Sequence, residues 1–118
     1  MTAERAENIA GNMVSIMADE CGVSGLILLG YPFYAPKKQD KPRIDHLKTI
    51  KTPTLILQGE RDVMGSKAGI ENYQLSKNIT INWLGDGDHG LVPRKKSGLS
   101  AEDNFNCALK MILNFLSI

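Results

Sequence analysis

Two polar segments of the 118-residue sequence carry side chains that can act together in proton transfer. Asp62 ends the segment 58–62, and His89 lies in the Gly-Asp-Gly-Asp-His-Gly stretch of residues 85–90. An imidazole that serves as a general base needs a carboxylate on its other ring nitrogen, because the carboxylate fixes the tautomer and stabilises the imidazolium. If the fold brings Asp62 and His89 together, the sequence predicts a base of this kind.

Short apolar runs that have the character of strands precede these polar segments. Leu26–Leu29 and residues 54–57 are continuous apolar runs, typical of strands buried on both faces, whereas Ile79–Leu84 alternates and is expected nearer a sheet edge. Helical patterns separate the runs, which predicts the α/β class with a parallel sheet and right-handed crossovers. Ligands bind beyond the carboxyl ends of such strands, where Asp62 and His89 are both expected.

Four segments are predicted to be helical. Apolar residues recur at steps of three and four over residues 3–18. Shorter helices are expected over residues 44–50 and from Ser66 to residue 73 or 75. Ser100 begins a closing helix, with Asp103 completing a variant of the capping box. The apolar stripe of that helix comprises Phe105, Ala108, Leu109, Ile112 and Leu116.

Composition places the chain among ordinary soluble domains. Hydrophobic residues make up 42% and charged residues 23%, and the length predicts a single domain over residues 1–118. Fourteen Lys and Arg against thirteen Asp and Glu give a net charge of +1, so we expect no nucleic-acid partner. The sequence has no apolar run long enough to span a membrane and no leader-like start, which predicts no membrane association and a cytoplasmic location.

The cysteines and the remaining polar motifs indicate no metal or cofactor. Cys21 and Cys107 lie far apart without C-x-x-C spacing, so we expect two buried thiols and no metal or redox site. His46 is interpreted as a packing histidine, and residues 94–96 as a solvated basic loop. The segment around His89 also has a second interpretation as a polar turn whose aspartates bond backbone amides.

Several motifs taken together resemble the C-terminal half of an α/β-hydrolase. They are residues 25–32, Asp45-His46-Leu47, residues 53–62, Gly87-Asp88-His89 and residues 93–98. The resemblance is to the dienelactone-hydrolase-like branch, which includes the testis-expressed hydrolase-like proteins. It implies a fragment of a three-layer α/β sandwich with three main parallel strands flanked by helices. It also gives Asp62 the place of the triad acid and His89 that of the triad base.

The nucleophile is the point at which the sequence departs from this family. Hydrolases of this fold carry the serine in a G-x-S-x-G elbow, a motif that is absent from the 118 residues. The resemblance places Asn8 at the serine position, and an amide is not a nucleophile that His89 could activate. None of three other serines is expected to be the nucleophile. Ser15 lies inside a predicted helix, Ser24 lies at the wrong edge of the sheet, and Ser66 is a helix cap.

Three functions therefore remain open. The chain is a truncated or remnant serine ester or acyl hydrolase that is inactive alone, or a hydrolase completed by another chain, or a non-enzymatic interaction module. The strands that precede the elbow in the family have no counterpart in the sequence, so Leu26–Leu29 is expected to have an open edge. An open apolar edge favours pairing with a second copy or with another chain, and we expect a dimer or larger assembly.

Overall fold

The computed structural model describes residues 15–117. Within that stretch the strands are β1 (Leu26–Leu29), β2 (Thr54–Gly59) and β3 (Ile79–Leu84). The helices are α1, described over residues 15–21, α2 (Lys67–Ile70) and α3 (Ala101–Leu116), and two short 3-10 helices are Asp45–Lys48 and Lys95–Ser97. Within the described residues the order of strands and helices agrees with the predicted alternation.

The strands form an open parallel sheet in the order β1-β2-β3. In register, Leu29 lies opposite Leu57, and Gly59 lies opposite Leu84, so the three strands run out at one edge. All six residues of the central strand β2 are buried, as its continuous apolar run predicts. The alternating strand β3 lies at one side of the sheet, which confirms its predicted place, and β1 lies at the other.

Both faces of the sheet are covered, which makes the three layers that the sequence predicts. On one face, side chains of β1 and β2 pack with α1 and with the loop that follows β1; this core includes Ala18, Leu26, Leu28, Phe33, Leu47 and Ile56. On the other face, β2 and β3 pack against α3, and the core comprises Leu55, Leu57, Leu84 and Ala108. The fold is thus a small α/β sandwich of the predicted class.

Two helices are shorter than the sequence pattern suggests. Ser66 does cap α2, because its hydroxyl accepts a hydrogen bond from the N–H of Gly69, but the helix ends at Ile70 rather than at residue 73 or 75. The N–H of Ser76 instead donates to the carbonyl of Leu47, which draws the chain away from a helical path. The helix expected over residues 44–50 is only the four-residue 3-10 helix Asp45–Lys48.

The closing helix begins as predicted but presents a different face to the core. Ser100 and Asp103 form a reciprocal capping box. Asn104 and Ala108 are the buried residues of α3, whereas Phe105 is 63% exposed. The predicted stripe was therefore too wide, because a sheet of three strands covers only part of the apolar surface that the helix carries. The exposed large apolar residues of α3 are Phe105, Leu109, Leu113 and Leu116.

The prediction of two buried thiols is wrong. Cys21 and Cys107 are both exposed and unbridged. Cys107 precedes the buried Ala108, and successive residues of a helix are rotated by about 100°, so its thiol lies off the face that meets the sheet. Of the helices within residues 15–117, none has both the length and the apolar character needed to cross a bilayer.

Candidate active site

The loops that follow β2 and β3 touch at the carboxyl edge of the sheet. A Cβ atom at Gly59 would overlap the carbonyl oxygens of Gly87 and Asp88, so only glycine permits this approach. The N–H of Arg61 donates to the carbonyl of Gly87 over 2.9 Å, and the N–H of Asp86 donates to the Glu60 carboxylate. These contacts hold the segment that carries Asp62 against the segment that carries His89.

Asp62 and His89 form a direct hydrogen-bonded pair. Nδ1 of His89 lies 2.8 Å from Oδ2 of Asp62. The carboxyl side chain is fully buried, and the imidazole is 20% exposed. Because a carboxylate only accepts hydrogen bonds, Nδ1 is the protonated nitrogen in a neutral His89, and Nε2 then carries the lone pair that a base needs. The predicted juxtaposition of the two side chains is present.

Two further donors fix the orientation of the Asp62 carboxylate. The backbone N–H of Met64 donates to Oδ1 over 2.8 Å, closing a turn within the same loop. The side-chain amide of Gln58 donates to Oδ2 over 3.0 Å. Both oxygens are therefore held in place, and Oδ2 is shared between Gln58 and His89. A buried carboxylate requires such partners because its desolvation is otherwise costly.

The backbone at His89 is held from two sides. Gly30, just after β1, has a φ of 68°, and a Cβ there would lie 2.5 Å from the carbonyl oxygen of His89. On the opposite side the buried amide of Asn104 donates to the carbonyls of Gly85 and Leu91, which flank the histidine segment. Helix α3 and the end of β1 thus both contribute to the placement of the imidazole.

The aspartates beside His89 behave as turn residues. Oδ1 of Asp88 accepts hydrogen bonds from the N–H groups of Gly90 and Val92, each over 2.9 Å. Asp86 accepts from both the side chain and the backbone N–H of Arg94, and these bonds hold the pKa of the Asp86 carboxyl well below its usual range. The polar-turn interpretation is therefore correct for these two aspartates, and it coexists with the Asp62–His89 pair.

A second histidine lies in a different polar cluster. Nε2 of His46 lies 2.7 Å from the Ser15 hydroxyl and 3.1 Å from the Tyr31 hydroxyl, which itself donates to the carbonyl of Arg43. Burial lowers the pKa of His46 and raises that of Tyr31 to about 12. Ser15 is only 2% exposed. These contacts agree with the predicted packing role of His46.

The serines considered as nucleophiles make their contacts in parts of the structure other than the Asp62–His89 pair. Ser15 bonds His46, and Ser66 caps α2. Ser24 lines a groove beside Pro53 at the amino end of β1, far along the strand from the His89 loop. Asn8, the residue at the predicted nucleophile position, lies outside the described residues. Residues 15–117 contain no cluster of three or more potential ligands that could hold a metal ion.

Sequence reasoning missed three residues that build the arrangement around Asp62 and His89. The roles of Gln58 and Gly30 depend on which loops meet at the sheet edge, and no local sequence pattern indicates them. Asn104 does carry a sequence signal, because a polar residue one turn before Ala108 interrupts an otherwise apolar helix face. The catalytic roles of Asp62 and His89 remain predictions, while their contact is a structural fact.

An apolar groove of about 470 Å³ lies beside the histidine loop. It is bounded by the end of β1, the segment after His89 and the outer face of α3; its lining includes Leu29, Leu91, Val92, Phe105 and Leu109. Leu29 is 61% exposed although it belongs to the sheet. Among the described residues nothing pairs with the outer side of β1.

A family model described as an alpha/beta hydrolase domain matches residues 7–117. The matched stretch includes the described strands, Asp62 and His89, as well as Asn8. No solved structure matches the chain.

Proposed function

Because the chain belongs to the alpha/beta hydrolase domain family, we propose that its residues supply the acid–histidine part of a serine ester or acyl hydrolase. In this proposal Asp62 is the acid and His89 is the base. We further propose that the chain belongs to the dienelactone-hydrolase-like branch and corresponds to the C-terminal half of that fold. The motifs at residues 53–62 and 87–89, which follow two adjacent strands, support this placement.

The observation that carries the proposal is the 2.8 Å contact between Nδ1 of His89 and Oδ2 of Asp62. In an acid–histidine–nucleophile relay the acid orients the imidazole and stabilises the cation formed when Nε2 takes the nucleophile's proton. The fully buried carboxylate is shielded from water, and the partly exposed ring can reach a reacting group. This combination of burial and exposure is what the acid and the base of such a relay require.

We propose that these 118 residues are catalytically incompetent alone. The sequence holds no G-x-S-x-G motif, and the serines Ser15 and Ser66 are committed to other hydrogen bonds. Asn8 stands at the nucleophile position by resemblance, and its amide offers no oxygen nucleophile for His89 to activate. In this proposal activity requires a nucleophile from outside these 118 residues, and one such source is another polypeptide that completes the hydrolase.

Labelling with a serine-directed fluorophosphonate, together with hydrolysis of a chromogenic acyl ester, tests this proposal. We expect no labelled serine and an ester hydrolysis rate equal to that of the His89→Ala variant. The matched control is Asp45→Ala, a variant that also loses a carboxylate, but an exposed one that is remote from His89. A labelled serine whose reactivity falls when either Asp62 or His89 is replaced would contradict the incompetence of the chain while supporting the acid–histidine assignment.

A second candidate is an interaction module that binds through the outer side of β1. The N–H groups of Leu26 and Gly30 bond toward β2. Since alternate amides of a strand point to opposite sides, those of Ile27 and Leu29 face the open side. Beside them Leu29 and Phe105, each more than 60% exposed, border the apolar groove. Unpaired amides next to exposed apolar side chains are the usual features of a strand-pairing surface.

We propose a second copy of this chain as the occupant of that surface. Two β1 strands related by a two-fold axis pair antiparallel, so the same edge serves both copies and no further surface is needed. In that arrangement both α3 helices lie on one face of the joined sheet, and Phe105 and Leu109 of each approach the Leu29 side chain of the other. A net charge of only +1 adds little repulsion.

Light scattering tests the second candidate by comparing Leu29→Lys with Val63→Lys. The two variants are matched because the Leu29 and Val63 side chains are both 61% exposed. We expect the original chain and Val63→Lys to be dimeric and Leu29→Lys to be monomeric. A monomeric original chain with freely exchanging Ile27 and Leu29 amides would contradict the dimer. Protection of those amides only after addition of a polypeptide carrying a nucleophile elbow would assign the edge to that polypeptide instead.

A further inference from the structure

Gln58 lies at the centre of a buried hydrogen-bond network next to the Asp62–His89 pair. It is the penultimate residue of β2 and its side chain is fully buried. Oε1 accepts a hydrogen bond from the N–H of Tyr31 over 2.9 Å. Nε2 lies 3.0 Å from the Tyr31 carbonyl, 3.0 Å from Oδ2 of Asp62 and 3.1 Å from the Gly65 carbonyl. One amide thereby connects the loops after β1 and β2.

The orientation of this amide is fixed by its surroundings. Rotation by 180° would place Oε1 against the three acceptor oxygens and Nε2 against the N–H of Tyr31, which would oppose like groups at every contact. The donor end of Gln58 therefore faces Asp62. The loop also closes tightly, because a Cβ at Gly65 would lie 2.7 Å from Nε2 of Gln58 and 2.7 Å from the Phe33 ring.

We propose that Gln58 is a positioning residue for the acid–histidine pair, holding Oδ2 of Asp62 toward Nδ1 of His89. The inference rests on the proposed function, in which that pair is the acid and base of a hydrolase. Of the donors to the carboxylate, Gln58 is the side chain that shares an oxygen with His89. Met64 holds the other oxygen through its backbone N–H, which leaves the rotation of Oδ2 toward the imidazole to Gln58.

The test is the rate at which the Nδ1 proton of His89 exchanges with water, followed by NMR in the folded 118-residue protein. Gln58→Met keeps the size of the side chain and removes its hydrogen bonds. We expect exchange to become about tenfold faster or more. Without the Gln58–Asp62 hydrogen bond, a bond to a charged group, Oδ2 is no longer held toward Nδ1 and the His89–Asp62 bond opens more often. Gln74→Met, at an exposed glutamine, is the matched control and should leave the rate unchanged. An unchanged rate in folded Gln58→Met would overturn the inference.

A measurement on the unaltered protein covers the case in which Gln58→Met does not fold. Because Gln58 and His89 share one carboxylate oxygen, the Gln58 side-chain N–H resonances should shift with the same pH midpoint as the His89 ring. Independence of the two signals would overturn the positioning role alone. Absence of a protected His89 Nδ1 proton in the unaltered protein would instead contradict the Asp62–His89 pair and with it the proposed function.

Discussion

The surroundings of His89 and His46 differ although each histidine makes a short hydrogen bond. His89 bonds a buried carboxylate, whereas the ring nitrogen Nε2 of His46 lies between the hydroxyls of Ser15 and Tyr31. A hydroxyl next to an imidazole looks like half of a catalytic dyad, but Ser15 is buried and no substrate can reach it. Both histidines are of intermediate exposure, so the comparison shows that a carboxylate partner, rather than hydroxyl partners, distinguishes the candidate base from the packing histidine.

The largest expected difference between the two clusters is in stability. Asp62→Ala leaves the donors of Gln58, Met64 and His89 without their buried partner, and should lower the free energy of unfolding by about 3 kcal/mol or more. Ser15→Ala removes one hydroxyl from the His46 cluster and should cost about 1 kcal/mol. Urea denaturation measures both values. Equal losses would show that the carboxylate is no more important to the fold than the hydroxyl.

The next effect concerns the backbone that holds His89. Gly22 and Gly30 both have positive φ angles, of 65° and 68°, but a Cβ at Gly22 would meet no atom within 4 Å. Gly22→Ala should therefore cost only the left-handed strain, about 1 kcal/mol. Gly30→Ala adds a clash with the His89 carbonyl and should cost about 3 kcal/mol in total.

The position of the His89 imidazole shows whether the loss of stability in either variant acts through the histidine segment. NMR shifts of the His89 ring should change in Gly30→Ala and remain unchanged in Gly22→Ala. If the two variants lose the same stability and leave the ring unmoved, then the close approach of Gly30 does not position His89.

How much of this arrangement could be predicted differs between its parts. Asp62 and His89 each follow a strand-like run, and parallel strands bring their carboxyl ends to one edge, so their meeting followed from order along the chain. Gln58 could not be predicted as a partner of Asp62, because its role depends on the loop after β1 folding back across β2. The buried face of α3 was also missed, since helix periodicity contains no information about how wide the sheet beneath it is.

A smaller effect is expected in the pH dependence of stability. Burial holds the pKa of His46 below its ordinary value, so between the folded and unfolded pKa values the unfolded chain binds more protons. Stability contributed by neutral His46 is therefore full above the unfolded value, about 6.5, and is lost as pH falls below it. Thermal melts from pH 7 to pH 5 should show this decline, and His46→Gln should flatten it. A decline unchanged in His46→Gln would assign it to other groups.

The smallest expected effect tests whether Asp45 acts for His46 as Asp62 acts for His89. The Asp45 side chain is fully exposed, and its charge only partly offsets the effect of burial on the pKa of His46. Asp45→Asn should lower that pKa slightly and leave stability within about 0.5 kcal/mol. A large loss of stability would indicate that Asp45 is a second structural acid and would weaken the contrast between the two clusters.

The most direct measurement of the central claim is an NMR titration of both imidazole rings in the unaltered protein and in Asp62→Asn. If Asp62 is the acid that serves His89, the His89 midpoint falls in Asp62→Asn, because the carboxylate favours the imidazolium, while the His46 midpoint stays in place. Identical His89 midpoints in the two folded proteins would contradict the assignment of Asp62 and His89 as an acid–base pair.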